Sequence, residues 1–237
     1  MSVACVIIAT ILLMNAGEVE QSISSHLDNP ECEYQIEIIA DDFDGDGTTE
    51  FAVMAEGPEI NGCPSNGELL FLKETDGELN VVWKNTLLSP WKMTAGDVDG
   101  DGNKEIAFGV WKESRFDPVL AKRPFFYYWD GENIQRKWLG SRLSRRFEDF
   151  VLFDINSDGW DELIALEIGE GEGRFVTVYR WDSFGFEWLG ETGEIAGIAL
   201  IYTYEESLYA ETDTQQYTII FREEDNGIFE IVAEETR

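Results

Sequence analysis

Most of the chain alternates short apolar runs with breaks rich in Gly, Asp and Asn. The runs YQIEIIA, EFAVMAE, GELLFLKET and LNVVWKN follow one another from residue 34 to residue 85. The same order returns as WKMTAG, EIAFGVW, PFFYYWD and IQRKWLG, and again as FEDFVLF, ELIALEI, FVTVYRW and GFEWLGE. Val, Ile, Phe, Tyr and Trp dominate these runs, and the turns TDGE and DGEN separate the last two of the first and second sets. Such segments read as β-strands, and no helix-length periodic pattern with caps interrupts them. A fourth set follows the template as GIALIYT, SLYAET, QQYTIIFREE and GIFEIVAEE.

Four units of four strands predict an all-β fold of radially repeated sheets. The leading expectation is a β-propeller of four blades, each of four antiparallel strands, since blade-on-blade packing hides most sheet edges. A β-sandwich or an open array of sheets is the alternative. The expected organisation is an apolar leader over residues 1–17, a polar lead-in over 18–32 and one repeat domain over 33–237. The segment KESRFDPVLAKR reads as an excursion between two strands of the second unit.

In the first three units the break between the first two strands is an acidic nonapeptide: DFDGDGTTE at 42–50, DVDGDGNKE at 97–105 and DINSDGWDE at 154–162. The starts lie 55 and 57 residues apart, so the loops belong to the repeat and are read together. With the first Asp as position one, Asp97, Asp99 and Asp101 supply oxygens at positions one, three and five. Asn103 offers its carbonyl at seven and Glu105 a carboxylate at nine. The first loop aligns as Asp42, Asp44, Asp46, the carbonyl of Thr48, and Glu50. The third aligns as Asp154, Asn156, Asp158, the carbonyl of Trp160, and Glu162.

Calcium takes six to eight hard oxygen ligands and tolerates an irregular cage, whereas magnesium demands a tighter octahedron. The spacing therefore predicts up to three Ca2+ sites, with the third weakened by the neutral Asn156. The competing reading is a set of Asx turns whose carboxylates accept backbone N–H groups. Positions twelve are Val53, Phe108 and Ala165, so no bidentate glutamate completes an EF-hand.

These residues carry a family resemblance. DFDGDGTTEFAVMAEG, DVDGDGNKEIAFGV and DINSDGWDELIALEIG resemble the FG-GAP and VCBS-like repeats of integrin-alpha-type β-propellers. The resemblance covers three units directly and the fourth by template. It implies loops that bind calcium structurally and a surface used for adhesion, carbohydrate or protein recognition. Position nine is glutamate here where aspartate is commoner in that family.

Composition then narrows the function. The chain has 237 residues, is 43% hydrophobic and carries 48 Asp plus Glu against 17 Lys plus Arg, a formal charge of -31. The hydrophobic content suits a folded chain, and the charge disfavours nucleic acid and favours divalent cations and basic partners. Val3 to Met14 is almost wholly apolar, with the length of a secretory signal core but no basic residue after Met1. It is read as an export or membrane-tethering segment, with a buried terminal strand as the alternative. The expected location is secreted, periplasmic or cell-surface. In such a setting Cys32 and Cys63 form a disulfide or remain two unrelated thiols.

Nine of the 17 basic residues fall between 112 and 146, interspersed with Trp111, Phe116, Trp129 and Trp138. Arg142, Arg145, Arg146 and Trp138 are the candidate partner-binding group, for a protein or carbohydrate. Local charge neutralisation and packing is the plainer reading. Self-association is the further partner expectation, and the alternatives to a recognition propeller are a structural module of a larger surface assembly and, less favoured, a glycan-active hydrolase. No nucleophile elbow, phosphate loop or His and Cys ligand set occurs, and His26 has no histidine partner, so no enzyme is expected.

Overall fold

The computed structural model describes residues 7–8, 16–29, 34–56, 67–115, 117–140, 143–224 and 227–236. Cys32, Cys63 and Arg142 lie outside the described residues, and with them the proposed disulfide and part of the basic group.

The described elements are almost all strands, grouped in four antiparallel meanders. The first sheet contains β2 (Gln35–Asp41), β3 (Glu50–Glu56), β4 (Glu68–Thr75) and β5 (Glu78–Asn85). The second runs β6 (Pro90–Gly96), β7 (Glu105–Lys112), β8 (Ala121–Trp129) and β9 (Ile134–Leu139). The third runs β10 (Phe147–Phe153), β11 (Glu162–Ile168), β12 (Gly173–Asp182) and β13 (Gly185–Glu191), with the short β14 (Ile195–Ala196) on β12. The fourth runs β15 (Ile198–Tyr204), β16 (Ser207–Thr212), β17 (Gln216–Glu223) and β18 (Phe229–Glu235). Each of the sixteen expected strands is therefore present within a few residues of its apolar run.

Besides the short β14, two elements were not expected in that form. Ile7–Ile8, named β1, pair in parallel with Ile38 and Ile39 of β2. Residues 16–26, from the end of the expected leader into the polar lead-in, form a helix, α1 (Ala16–His26). Its Val19 and Ile23, with Leu27 beyond its end, are buried against Ile38, Val53, Leu70 and Leu72 of the first sheet. The spacing 19, 23, 27 is the i, i+4 register of one helix face, which reads as polar only because the other face is solvated. Among the described residues no helix is long and apolar enough to cross a membrane.

Burial explains the residue choice in each strand. The second strands, EFAVMAE, EIAFGVWK and ELIALEI, are buried along most of their length on both faces, so they read as continuous apolar runs. In the fourth sheet β15 has only Ile198 and Ile201 buried, and Leu208 and Ala210 alternate with more exposed residues on β16. One face of that sheet joins the core of Ile164, Leu166, Val176 and Val178, and the other is solvated.

The four-bladed propeller expected from the repeat is not what the chain builds. The number of sheets and their four-strand meanders agree with it, but the sheets are not closed into a ring. All described pairings stay within a sheet, with the N-terminal β1 on β2 and the C-terminal β18 on β17. The physical reason lies at the two end sheets. In a ring each would give its remaining face to the other, but α1 already covers that face of the first sheet. The fourth sheet instead presents side chains suited to water. Its solvated face carries the stacked pair Tyr202 and Tyr209 and the cluster Arg222, Glu230 and Glu234.

Contacts divide the chain into two compact units. One is built from residues 1–95, 103–114 and 118–139, and the other from 96–102, 115–117 and 140–237. In the first, Phe43, Phe71, Phe108, Tyr127 and Trp129 form an aromatic-rich core. The second is packed with Ile, Leu and Val from the third and fourth sheets.

Candidate metal loops

The three acidic nonapeptides adopt one backbone design. Positive φ occurs at position four, in Gly45, Gly100 and Ser157, and at position six, in Gly47, Gly102 and Gly159. The position-six N–H donates in every case to Oδ2 of the position-one aspartate, Asp42, Asp97 or Asp154, at 2.8 Å. That bond pulls the chain into a ring around the side chains of positions one, three and five. Glycine is needed at position six because a Cβ strains a left-handed backbone.

Acidic oxygens converge in two of the three loops. Asp42, Asp44 and Glu50 form one cluster, and Asp97, Asp99 and Asp101 the other, with ligand oxygens of each set within 4.8 Å of one another. In the first cluster Asp42 Oδ1 is buried and has no hydrogen-bond partner. A buried carboxylate oxygen without a donor is costly, and a cation is the group that would relieve it. The residues thus fit a divalent cation at these two loops.

The third loop distributes its acids differently. Asn156 Nδ2 donates to Asp158 Oδ2 at 3.0 Å, and Arg180 reaches both Asp158, at 3.3 Å, and Glu162, at 2.6 Å. Trp160 donates its backbone N–H to Asp158 Oδ1. Asp158 is therefore drawn towards protein donors.

The position-nine glutamates show a pattern that the spacing did not suggest. Glu50, Glu105 and Glu162 are essentially inaccessible to solvent, and each faces a basic side chain from a later strand. Lys73 Nζ lies 3.1 Å from Glu50, Lys137 Nζ 2.8 Å from Glu105, and Arg180 Nη2 2.6 Å from Glu162. The other oxygen of Glu50 accepts the Phe43 N–H, and that of Glu162 accepts the Ile155 N–H, both at position two. Burial pushes both carboxyls above the usual glutamate range, against the opposing pull of the basic partner and the backbone donor. The sheet register brings the partners together: Lys73 stands directly across the β3/β4 ladder from Glu50. Arg180 occupies the corresponding place on β12, one residue beyond the Leu163 and Tyr179 pair.

Lys73 also lies 3.0 Å from Asp46 and 3.9 Å from Asp44. The Thr48 hydroxyl and Lys73 hold the Asp46 carboxyl down at about 2, and Asp46 in turn raises Lys73 above the normal lysine value. Thr48 gives both its N–H and its hydroxyl to Asp46. Asp44 Oδ2 accepts the Trp129 indole N–H at 2.9 Å, which ties the first loop to β8. The second loop is tied by Asp161, whose N–H donates to the Asp97 carbonyl while its Oδ2 accepts the Asp97 N–H.

Several of the described basic residues engage groups of the chain itself. Arg123 is buried and donates to the carbonyls of Lys112 and Val119, anchoring the excursion between β7 and β8. Arg145 pairs with Glu167 and Glu191 and lies over the Phe175 ring at 4.3 Å. Arg146 is more exposed and lies 3.7 Å from Asp117. Trp138 is half-buried beside Phe126. His26 is half-buried too, its Nε2 3.1 Å from the Leu79 carbonyl.

No protein-family model matches the chain, and no curated protein is significantly similar to it. The FG-GAP and VCBS-like resemblance thus remains at the level of its loop motifs. The fold and loops define an all-β, multi-sheet repeat protein with acidic clusters in two of its repeat loops.

Proposed function

We propose that the chain is a non-enzymatic structural module of a larger surface assembly outside the cytosol, whose acidic loops at 42–50 and 97–105 bind divalent cations. Calcium is the favoured ion, since carboxylates on an irregular loop suit its larger, more permissive shell. The observation that carries the reading is the buried, unpartnered Oδ1 of Asp42 inside a three-carboxylate cluster. The resemblance of the loop motifs to FG-GAP and VCBS-like repeats agrees with structural calcium. Engagement of Arg123 and Arg145 by groups of the same chain supports a structural role over ligand capture.

The test is calorimetric titration of the chelated protein with Ca2+, followed by thermal unfolding. The expected result is two equivalents bound and a rise in Tm, since an ion at about 100 times its Kd adds roughly 2.7 kcal/mol per site. Absence of any calcium heat or Tm change at millimolar Ca2+ would overturn the cation reading.

Recognition of a protein or carbohydrate is the second reading. Its supporting observation is Trp111, exposed on β7 with Lys122 5.8 Å from its ring. Saturable glycan or peptide binding lost in Trp111→Ala would favour it.

A further inference from the structure

The ammonium group of Lys73 stands among the acids of the first loop, with Asp46 at 3.0 Å, Glu50 at 3.1 Å and Asp44 at 3.9 Å. Its side chain is only partly exposed, and Glu50 has no exposed surface. Two of these acids, Asp44 and Glu50, belong to the cluster that also contains Asp42. A monovalent protein cation therefore occupies the surroundings that a divalent ion would need. It leaves Asp42 Oδ1 without a donor.

We propose that Lys73 is the resident counterion of the first loop and sets its affinity for a divalent cation by competing with it. The inference rests on the cation reading of the acidic loops. Without a metal, Lys73 neutralises part of the carboxylate charge and holds the loop in its ring. With a divalent ion on Asp42, Asp44 and Glu50, the ammonium is repelled and swings towards water, an easy movement for a four-carbon stem at the surface. The fold then keeps the first loop formed at low calcium and fills it only when calcium is abundant. Arg180 makes the corresponding pairings to Asp158 and Glu162 in the third loop, where the acids do not form a cluster. The strength of the resident cation thus separates the two loops, with lysine the more readily displaced.

The test uses the full chain, the Lys73→Gln variant, and a second pair carrying Asp97→Asn and Asp99→Asn to silence the second loop. In the silenced background, Lys73→Gln is expected to tighten Ca2+ binding by about tenfold or more, as loss of a like charge beside the ion requires. Equal affinity with and without Lys73 would overturn the inference while leaving the cation reading intact. No Ca2+ binding to any of the proteins, the unsilenced chain included, would overturn both. Because Lys73→Gln leaves Glu50 without its partner and risks misfolding, a second measurement uses the wild-type chain. Labelling of the Lys73 amine is expected to be several-fold faster at saturating Ca2+ than in chelator. An unchanged rate at proven saturation would also overturn the inference.

Discussion

The indole of Trp160 fills the space in which a Cβ on Gly100 would stand. Gly100 has φ of +71° at position four of the second loop, and Trp160 occupies position seven of the third. Two costs fall on the same atom: strain of a left-handed backbone and overlap with a ring. Gly100→Ala is expected to lose more than about 2 kcal/mol. Adding Trp160→Ala should recover about 1 kcal/mol or more, because only the overlap is relieved. Urea denaturation of the two single variants and the double variant measures the coupling, and strict additivity would contradict the contact.

Ser157 holds the same position in the third loop with φ of +61°. A serine there has a Cβ penalty that Gly45 and Gly100 escape, partly offset by glycine's freedom in the unfolded chain. Ser157→Gly should raise stability by up to about 1 kcal/mol. A lower denaturation midpoint would show that the hydroxyl or Cβ contributes more than the strain costs.

Arg145 and Arg146 are neighbours in sequence with different tasks. Arg145 balances Glu167, which is wholly buried, while Arg146 is nearly half exposed. Removing a partner from a buried carboxylate is strongly destabilising, so Arg145→Ala is expected to cost about 2–4 kcal/mol. Arg146→Ala should fall within about 1 kcal/mol of wild type. Thermal unfolding of both variants discriminates them, and equal effects would remove the distinction.

The DGEN turn carries a pH dependence away from the metal loops. Asp130 accepts the backbone N–H groups of Glu132 and Asn133 and the side chain of Gln135. The Asn133 N–H, the Gln135 amide and then the Glu132 N–H hold its carboxyl below the usual aspartate value. A depressed carboxylate contributes stability in full above its unfolded value, about 3.9, and loses it as pH falls through the lower folded value. Asp130→Ala should therefore be less stable than wild type at pH 7, and the gap should close as pH is taken below about 4. A gap that persists at pH 2 would point to lost packing instead of charge.

Much of the architecture was legible because strand periodicity and turn chemistry are local. EFAVMAE and ELIALEI read as doubly buried strands, and TDGE places Asp76 and Gly77 at the positive φ that a tight hairpin requires. The acidic register was legible for the same reason, since the bond from the position-six N–H to the position-one carboxylate spans five residues. Helix α1 was not legible, because Val19, Ile23 and Leu27 make a narrow stripe in a polar segment. Its stability comes from the sheet beneath it.

By itself, the sequence determined the strands, their grouping in fours and the shape of the acidic loops, since each depends on side chains within a few residues of one another. Only the tertiary structure decided that the sheets do not close into a ring, because the available face of the first sheet is covered by α1, whose narrow apolar stripe takes effect only once it packs on that sheet. It also decided which loops gather their acids. Lys73 and Arg180 come to Glu50 and Glu162 across a strand ladder, and a charge 18 or 23 residues away acts on a carboxylate only once the sheet has brought the two within hydrogen-bond reach.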